Sequence, residues 1–252
     1  MVTATDQLSL RLEADHPTLP NPPSGLRPML PRPAPEPFDS ADHLFEPSWG
    51  GIRALVTVGP GDRPGSGDVR IEDADGVDVT VRLPELAGLA VRVDARSAVL
   101  DGELVVVDAE GRADAPALEA RLGGAAGRPV AFLAFDLLHL DGRSLLGVAL
   151  TRRRRLLRGV LRPGDEVVAV PAIAGEGRAL FDAAVAQGIG GIMARQRLSP
   201  YLPGIRSRLW RYVAASPDRD REEAPGDPDP AAPPSGRVLA LISRLPLGLD
   251  GD

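Results

Sequence analysis

The 252-residue sequence contains no lysine: all 29 of its Lys and Arg positions are arginine. With no side-chain amine present, covalent catalysis through a lysine is excluded. Cysteine is absent too, which rules out disulfides, thiolate nucleophiles and sulfur-ligated metal sites. The three histidines, His16, His43 and His139, stand far apart and lack the short spacing of a shared metal site. The longest apolar stretch, 129–140, is interrupted by Asp136 and falls well short of the roughly 20 residues that span a bilayer. No basic and apolar signal pattern opens the chain, so the expected location is cytoplasmic, with no membrane partner. A net charge of −6 argues against strong unaided DNA binding and leaves that role to a local basic face.

Proline and glycine, 26 and 28 residues, are plentiful, and the prolines concentrate toward the ends. Residues 1–24 read as a disordered lead-in. Residues 25–214 read as one domain. Residues 215–236 form an acidic, proline-rich linker with Asp218, Asp220, Glu222, Glu223, Asp227 and Asp229 against Arg219 and Arg221, a composition that cannot bury a core. Residues 237–252 are a short apolar tail. Within the domain, 52–58 is a β-branched run. Residues 69–83 alternate across Asp75-Gly76 as a hairpin, and two short strands flank Asp101-Gly102-Glu103. Residues 130–138 read as a buried strand. A helix capped by Thr151 carries Leu156, Leu157, Val160 and Leu161, and a second over 177–187 stops at Gly188. Strands joined mainly by hairpins, with few helices, predict an α+β fold of antiparallel sheets.

Five segments, taken in order, resemble the adenylation domain of bacterial ATP-dependent DNA ligases, over about residues 25–213. LRPMLPRP and HLFEPSWGGIRALV correspond to that family's opening and to its first motif, Glu-x-Lys-x-Asp-Gly-x-Arg, here Glu46 to Arg53. VRIEDADGVDVTVRLPEL resembles the family's Ser-Arg-x-Gly hairpin leading to Pro-Glu-Leu, and keeps Pro84-Glu85-Leu86. AVLDGELVVVD keeps Asp101-Gly102-Glu103. FLAFDLLHLDG matches the strand whose aromatic residue, here Phe135, stacks on adenine in the family. GIGGIMARQRLSPYLPGIRSRLWRYV corresponds to the last two motifs.

The resemblance implies an ATP site with Mg²⁺, a nicked-duplex DNA substrate and a setting in DNA repair or recombination. It also shows where this sequence departs. Ser48 stands at the position of the lysine that takes up AMP. Its oxygen sits on a stem about 4 Å shorter by ordinary bond lengths, and no histidine lies nearby in sequence as a base. Gly50 replaces the neighbouring Asp, Asp73-Ala74 the Ser-Arg pair, Gly190 a metal-binding Glu, and Tyr212 and Ala214 two phosphate-binding lysines. Arg195 keeps the charge of the fourth-motif lysine with a different geometry.

What the resemblance leaves of the nucleotide site is Glu46, Arg53, Glu103, Phe135 and Arg195, with Glu103 as the remaining metal carboxylate. Taken alone, Phe135 reads as core and Glu103 as an acid beside a turn, and both readings stand next to the functional ones. Arg206, Arg208 and Arg211 are candidates for DNA or phosphate contact, since alternation places Arg206 and Arg208 on one side. The run Arg152 to Arg155 reads as a solvated helix face, with DNA phosphate contact as the alternative. About forty residues follow the domain, too few for the family's OB-fold, so no complete OB-fold is expected here.

The leading expectation is a ligase-like protein that does not form lysyl-AMP and acts by binding nucleotide, DNA or a repair protein partner. The alternatives are an enzyme with non-lysine chemistry and an interaction module built on the linker and tail.

Overall fold

A computed structural model describes residues 19–215. Residues 1–18 of the lead-in expected at 1–24, all but residue 215 of the linker expected at 215–236, and the tail expected at 237–252 lie outside the described residues. The chain opens with β1 (Leu30–Pro33), β2 (Ser40–Pro47), β3 (Ile52–Val58) and β4 (Val69–Asp73), then three short 3₁₀ turns lead to β5 (Ala98–Val105). Next come α1 (Ala115–Leu122), β6 (Ala131–Leu140), β7 (Arg143–Ser144) and α2 (Leu150–Val160). The last elements are β8 (Val167–Ala169), β9 (Ile173–Gly175), α3 (Gly177–Ala186), β10 (Gly191–Gln196) and β11 (Arg206–Ala214).

These strands build two sheets, one ordered β1-β11-β10-β2-β9, the other β4-β3-β5-β6-β7 with β8 also paired to β6. Only β1 with β11 and β6 with β8 run parallel; the other named pairs are antiparallel. The predicted α+β class with mainly antiparallel sheets is borne out. Among the described residues, no helix is long and apolar enough to cross a membrane.

β6 lies where the two sheets face each other, which explains its nearly unbroken apolar sequence. Phe132 and Ala134 enter one core with Leu100 and Leu104 of β5, while Ala131, Leu133 and Phe135 enter another with Phe45 of β2 and Ile192 of β10. Each fully buried Leu or Phe contributes about 1.5–3 kcal/mol, so this strand anchors both layers. The one acid in its middle, Asp136, is fully buried and pairs with the equally buried Arg153 of α2, Nη2 to Oδ2 at 2.7 Å.

Three local expectations need correction. Asp101-Gly102-Glu103 lies inside the continuous strand β5 and does not separate two strands. Gly102 is needed because a Cβ there would fall 2.4 Å from the Leu133 carbonyl oxygen and 2.5 Å from the Phe132 ring. The second arm of the 69–83 hairpin is absent. After Gly76, at φ 74°, the chain makes a single bridge at Asp78 and coils into a 3₁₀ turn at Thr80–Arg82. The Thr80 hydroxyl accepts the Ile71 N–H, and Val79 and Leu83 enter the core while Val77 and Val81 stay exposed, so the apolar positions are seated by a coil and not by a second strand.

Thr151 does not cap α2: the helix starts at Leu150 without a side-chain cap. The backbone N–H groups of Leu150 and Thr151 instead donate to the carbonyls of Ser199 and Arg197. The stop at Gly188 is as expected. Gly188 sits at φ 71°, with its N–H on Val185 and the N–H of Ile189 on Ala184, the paired bonds of a Schellman motif.

Candidate functional site

The first-motif loop, 48–51, links β2 of one sheet to β3 of the other, and the residues singled out from sequence gather around it. Arg53 on β3 stands opposite Glu103 on β5. Its guanidinium forks onto Asp101, Nε to Oδ1 and Nη2 to Oδ2, both at 2.6 Å, and Nη2 also reaches the Met29 carbonyl at 3.3 Å. Asp101 accepts a further bond from the Tyr201 hydroxyl at 2.7 Å. Burial works against the Arg53 cation, but Asp101 more than offsets it and holds Arg53 above the usual arginine pKa. The two-toothed pair fixes Arg53 rather than leaving it free for a ligand.

Glu46 on β2 is almost completely buried and engaged twice. Arg154 of α2 donates from Nη1 to its Oε2 at 2.8 Å, and Arg195 of β10 forms an ion pair with its Oε1. Burial lowers Arg154 to about 10 and Arg195 to about 9, so both stay cationic at neutral pH. Buried ions of this kind persist only when paired.

Phe135 sits at the centre, 3% exposed. The guanidinium carbon of Arg195 lies 3.9 Å from its ring centroid, and that of Arg53 lies 4.5 Å away. The same two cations approach Trp210, at 4.6 and 5.4 Å. Desolvated cation–π contacts reach about 2 kcal/mol each. Of the two sequence readings of Phe135, the core one is seen here, with arginines lying over the ring.

Glu103 is the carboxylate of the cluster that no arginine pairs directly. Burial pushes it up to about 7, with Asp101 adding to the rise, while Arg53 and the backbone N–H groups of Gly51 and Trp49 pull it down. Among the described residues, its Oε2 has no hydrogen-bond partner. Among the described residues, no group of three or more His, Cys, Asp or Glu could hold a metal ion. Magnesium sites join one or two carboxylates to phosphate oxygens, and Glu103 alone, without such phosphates, does not make a resident site.

The loop itself shows why its residues differ in tolerance. Gly51 is required, because a Cβ there would lie 2.3 Å from the Leu104 carbonyl oxygen. Gly50 turns left-handed at φ 73° into open space. Ser48 is half-buried, and its N–H donates to Gly191 at 2.9 Å. Gly190 is tied to another substituted position: the Tyr212 hydroxyl donates to its carbonyl at 3.0 Å. Tyr212 is raised by burial and then by Glu103. Asp73 lies outside the cluster, where its Oδ1 accepts the N–H groups of Asp75 and Val77 in the turn.

A family model described as an ATP dependent DNA ligase domain matches residues 28–212. The chain belongs to the ATP-dependent DNA ligase family. The multifunctional non-homologous end joining DNA repair protein LigD of Mycobacterium tuberculosis H37Rv is 36% identical over 166 residues, covering 66% of this chain and 21% of that protein. A probable DNA ligase of Kineococcus radiotolerans is 39% identical over 168 residues, covering 65% of this chain and 32% of its own length. The chain therefore spans about a fifth to a third of these relatives. Among solved structures, mycobacterial DNA ligase D complexed with ATP and MES superposes with a TM-score of 0.62 at 32% identity, over 75% of this chain and 60% of that one.

Of the ligase-motif residues, the fold unites Glu46, Arg53, Glu103, Phe135 and Arg195. The DNA candidates stand apart on β11. Arg206 and Arg208 are exposed, and Arg206 donates to the Pro31 carbonyl at 2.8 Å. Arg211 is half-buried and turns its Nε back onto the Arg208 carbonyl. Sequence reading missed Arg153, Arg154 and Tyr201 as members of the cluster. The solvated-face reading of 152–155 is corrected for its middle pair, which is buried. A signal existed: an acid inside an apolar strand demands a cation, and the arginine run supplies it.

Proposed function

We propose that this ligase-family domain does not form lysyl-AMP and serves DNA repair in the cytoplasm by binding DNA or a repair protein. The observation that carries the reading is Ser48 at the nucleophile position in a chain without any lysine. Phosphoramidate formation needs an amine nitrogen to attack phosphorus. A hydroxyl on a shorter stem, with no base hydrogen-bonded to it among the described residues, does not replace it.

The arrangement around Phe135 supports the same reading. In the family this ring holds the base, and here Arg195 lies 3.9 Å from it. A nucleotide would have to displace Arg195 from both the ring and Glu46, giving up a cation–π contact and a buried ion pair worth together about 3 kcal/mol or more. That corresponds to at least a hundredfold loss of affinity. Glu46, Arg53 and Arg195 then act as charge-paired members of the core around Phe135, and ATP and Mg²⁺ bind weakly. DNA is met through exposed Arg206 and Arg208.

The test is a nick-sealing and adenylation assay beside an active ligase, using α-labelled ATP and Mg²⁺. Neither labelled protein nor sealed product is expected. Label retained on the chain would overturn the proposal.

A further inference from the structure

The outer face of α2 carries charge that neither the Phe135 cluster nor β11 uses. Four consecutive arginines divide by the helix period: Arg153 and Arg154 turn inward to Asp136 and Glu46, while Arg152, Arg155 and, a turn later, Arg158 stay exposed. Arg197, exposed just beyond β10, joins them. Two adjoining hollows of about 170 and 430 Å³ share Thr151, Arg155 and Arg197, and the first also reaches Arg158. A third, of about 400 Å³, opens beside Arg152 and Leu156. Among the described residues no salt bridge or side-chain hydrogen bond engages Arg152, Arg155 or Arg158, and Arg197 reaches only the Ala41 carbonyl, at 3.2 Å. Asp42 is the one carboxylate lining the three hollows. Like charges three and four apart on a helix repel, so this groove calls for an acidic occupant.

The sequence supplies one. Residues 222–229, Glu-Glu-Ala-Pro-Gly-Asp-Pro-Asp, carry four acids and no cation, which matches the four arginines in number and opposes them in sign. These residues lie outside the described ones, but the last described residue shows that they can arrive. The Ala215 N–H donates to the Gly190 carbonyl at 2.9 Å, so the chain leaves the domain beside the start of β10. Arg197 stands past the other end of that strand, about 23 Å from Gly190 at some 3.3 Å per residue. An extended chain covers about the same rise. Glu222 therefore just reaches Arg197 from Ala215, and Asp227 and Asp229 have length to spare for running along α2. Pro225, Pro228 and Pro230 limit the freedom such a segment loses on ordering, and tethering raises its effective concentration to about the millimolar range. The groove has no aromatic lining, so a competing nucleic-acid strand finds no platform for stacking its bases.

We propose that residues 222–229 fold back onto the arginine groove of α2 and occupy it within the same chain, their carboxylates pairing with Arg152, Arg155, Arg158 and Arg197. The docked segment withholds the groove from other polyanions until it is displaced. The inference is independent of the lysyl-AMP reading, since it would survive the discovery of an AMP adduct, and its site is separate from β11.

Single-molecule energy transfer on the full chain tests it, and the absence of cysteine lets two labels be placed cleanly. One goes on Gly159→Cys, at the exposed end of α2 with open space around it, and the other on Ala224→Cys inside the acidic segment. A high-transfer population is expected at low salt, and it should be lost at about 1 M salt, where charges are screened beyond roughly 3 Å. Arg155→Ala/Arg158→Ala should lower the ratio of high- to low-transfer molecules about fivefold, in keeping with two lost exposed ion pairs, and Glu222→Gln/Glu223→Gln by about as much. A charge-matched pair at exposed positions elsewhere, Arg63→Ala/Arg143→Ala, should stay within about twofold of wild type. Matching melting curves establish that the variants are folded; should the alanine pair melt early, Arg155→Gln/Arg158→Gln carries the same comparison. Unchanged transfer in the groove variant, or equal losses in both arginine pairs, would overturn the proposal. So would a labelled single strand whose affinity for the full chain drops in the groove variant and does not rise in Glu222→Gln/Glu223→Gln, since nucleic acid would then hold the groove without competition from the segment.

Discussion

The guanidinium carbon of Arg195 lies over the ring of Phe135, 3.9 Å from its centroid. Arg195 is 1% exposed and Phe135 3%, so the contact is sealed from water. The planar Arg195 cation covers an aromatic face and pairs with Glu46.

Arg195→Ala should uncover the ring. Loss of a desolvated cation–π contact is expected to lower stability by about 2 kcal/mol in urea denaturation, with Arg154 still neutralising Glu46. Adenosine affinity, measured by calorimetry, should rise at least tenfold over wild type. Equal affinities in the two proteins would show that Arg195 does not close the slot.

The Arg153–Asp136 pair gives a sharper stability prediction. Both side chains are fully buried, with contacts of 2.7 and 2.8 Å. Arg153→Ala strands the Asp136 carboxylate and should cost about 3–5 kcal/mol. The double change Arg153→Met/Asp136→Leu removes both ions and should recover most of that loss. A double variant as unstable as the single would mean that packing, not charge pairing, sets the cost.

Glu103 sets a pH dependence whose sign is dictated by burial. Its pKa rises from 4.5 to about 7 on folding, so the folded state binds more protons than the unfolded state between those values. Stability from this group is present in full below about 4.5 and is lost as pH rises toward 7, by a few kcal/mol at most. Glu103→Gln should therefore change stability little at pH 5 and raise it at pH 8, read as melting temperature. An equal shift at both values would place the ionisation elsewhere.

Restoring one residue should not restore the reaction. Ser48→Lys supplies an amine, but Gly50, Gly190, Tyr212 and Ala214 still lack the family's charges, and Arg195 still covers Phe135. No labelled protein is expected from this variant with α-labelled ATP. Robust adenylation of Ser48→Lys would show that the remaining site is competent and that the amine alone is missing.

Much of the cluster is legible in the sequence because the ligase motifs fix its members in order. Strand alternation and the helix period do not say what those members touch. Phe135 reads as either core or platform, and the fold places it in the core with two arginines over its ring. Asp101-Gly102 reads as a turn because local propensity favours one there, whereas close approach to Phe132 and Leu133 makes the same glycine a strand residue. The arginine run on α2 reads as solvated because its charges argue for water. The partners that bury Arg153 and Arg154, Asp136 and Glu46, lie 17 and 108 residues away, beyond the range of any local pattern.

Intact-mass measurement of the purified chain after incubation with ATP and Mg²⁺ tests the absence of lysyl-AMP chemistry most directly. An unchanged mass is predicted. A gain equal to one AMP, released by acid, would contradict it.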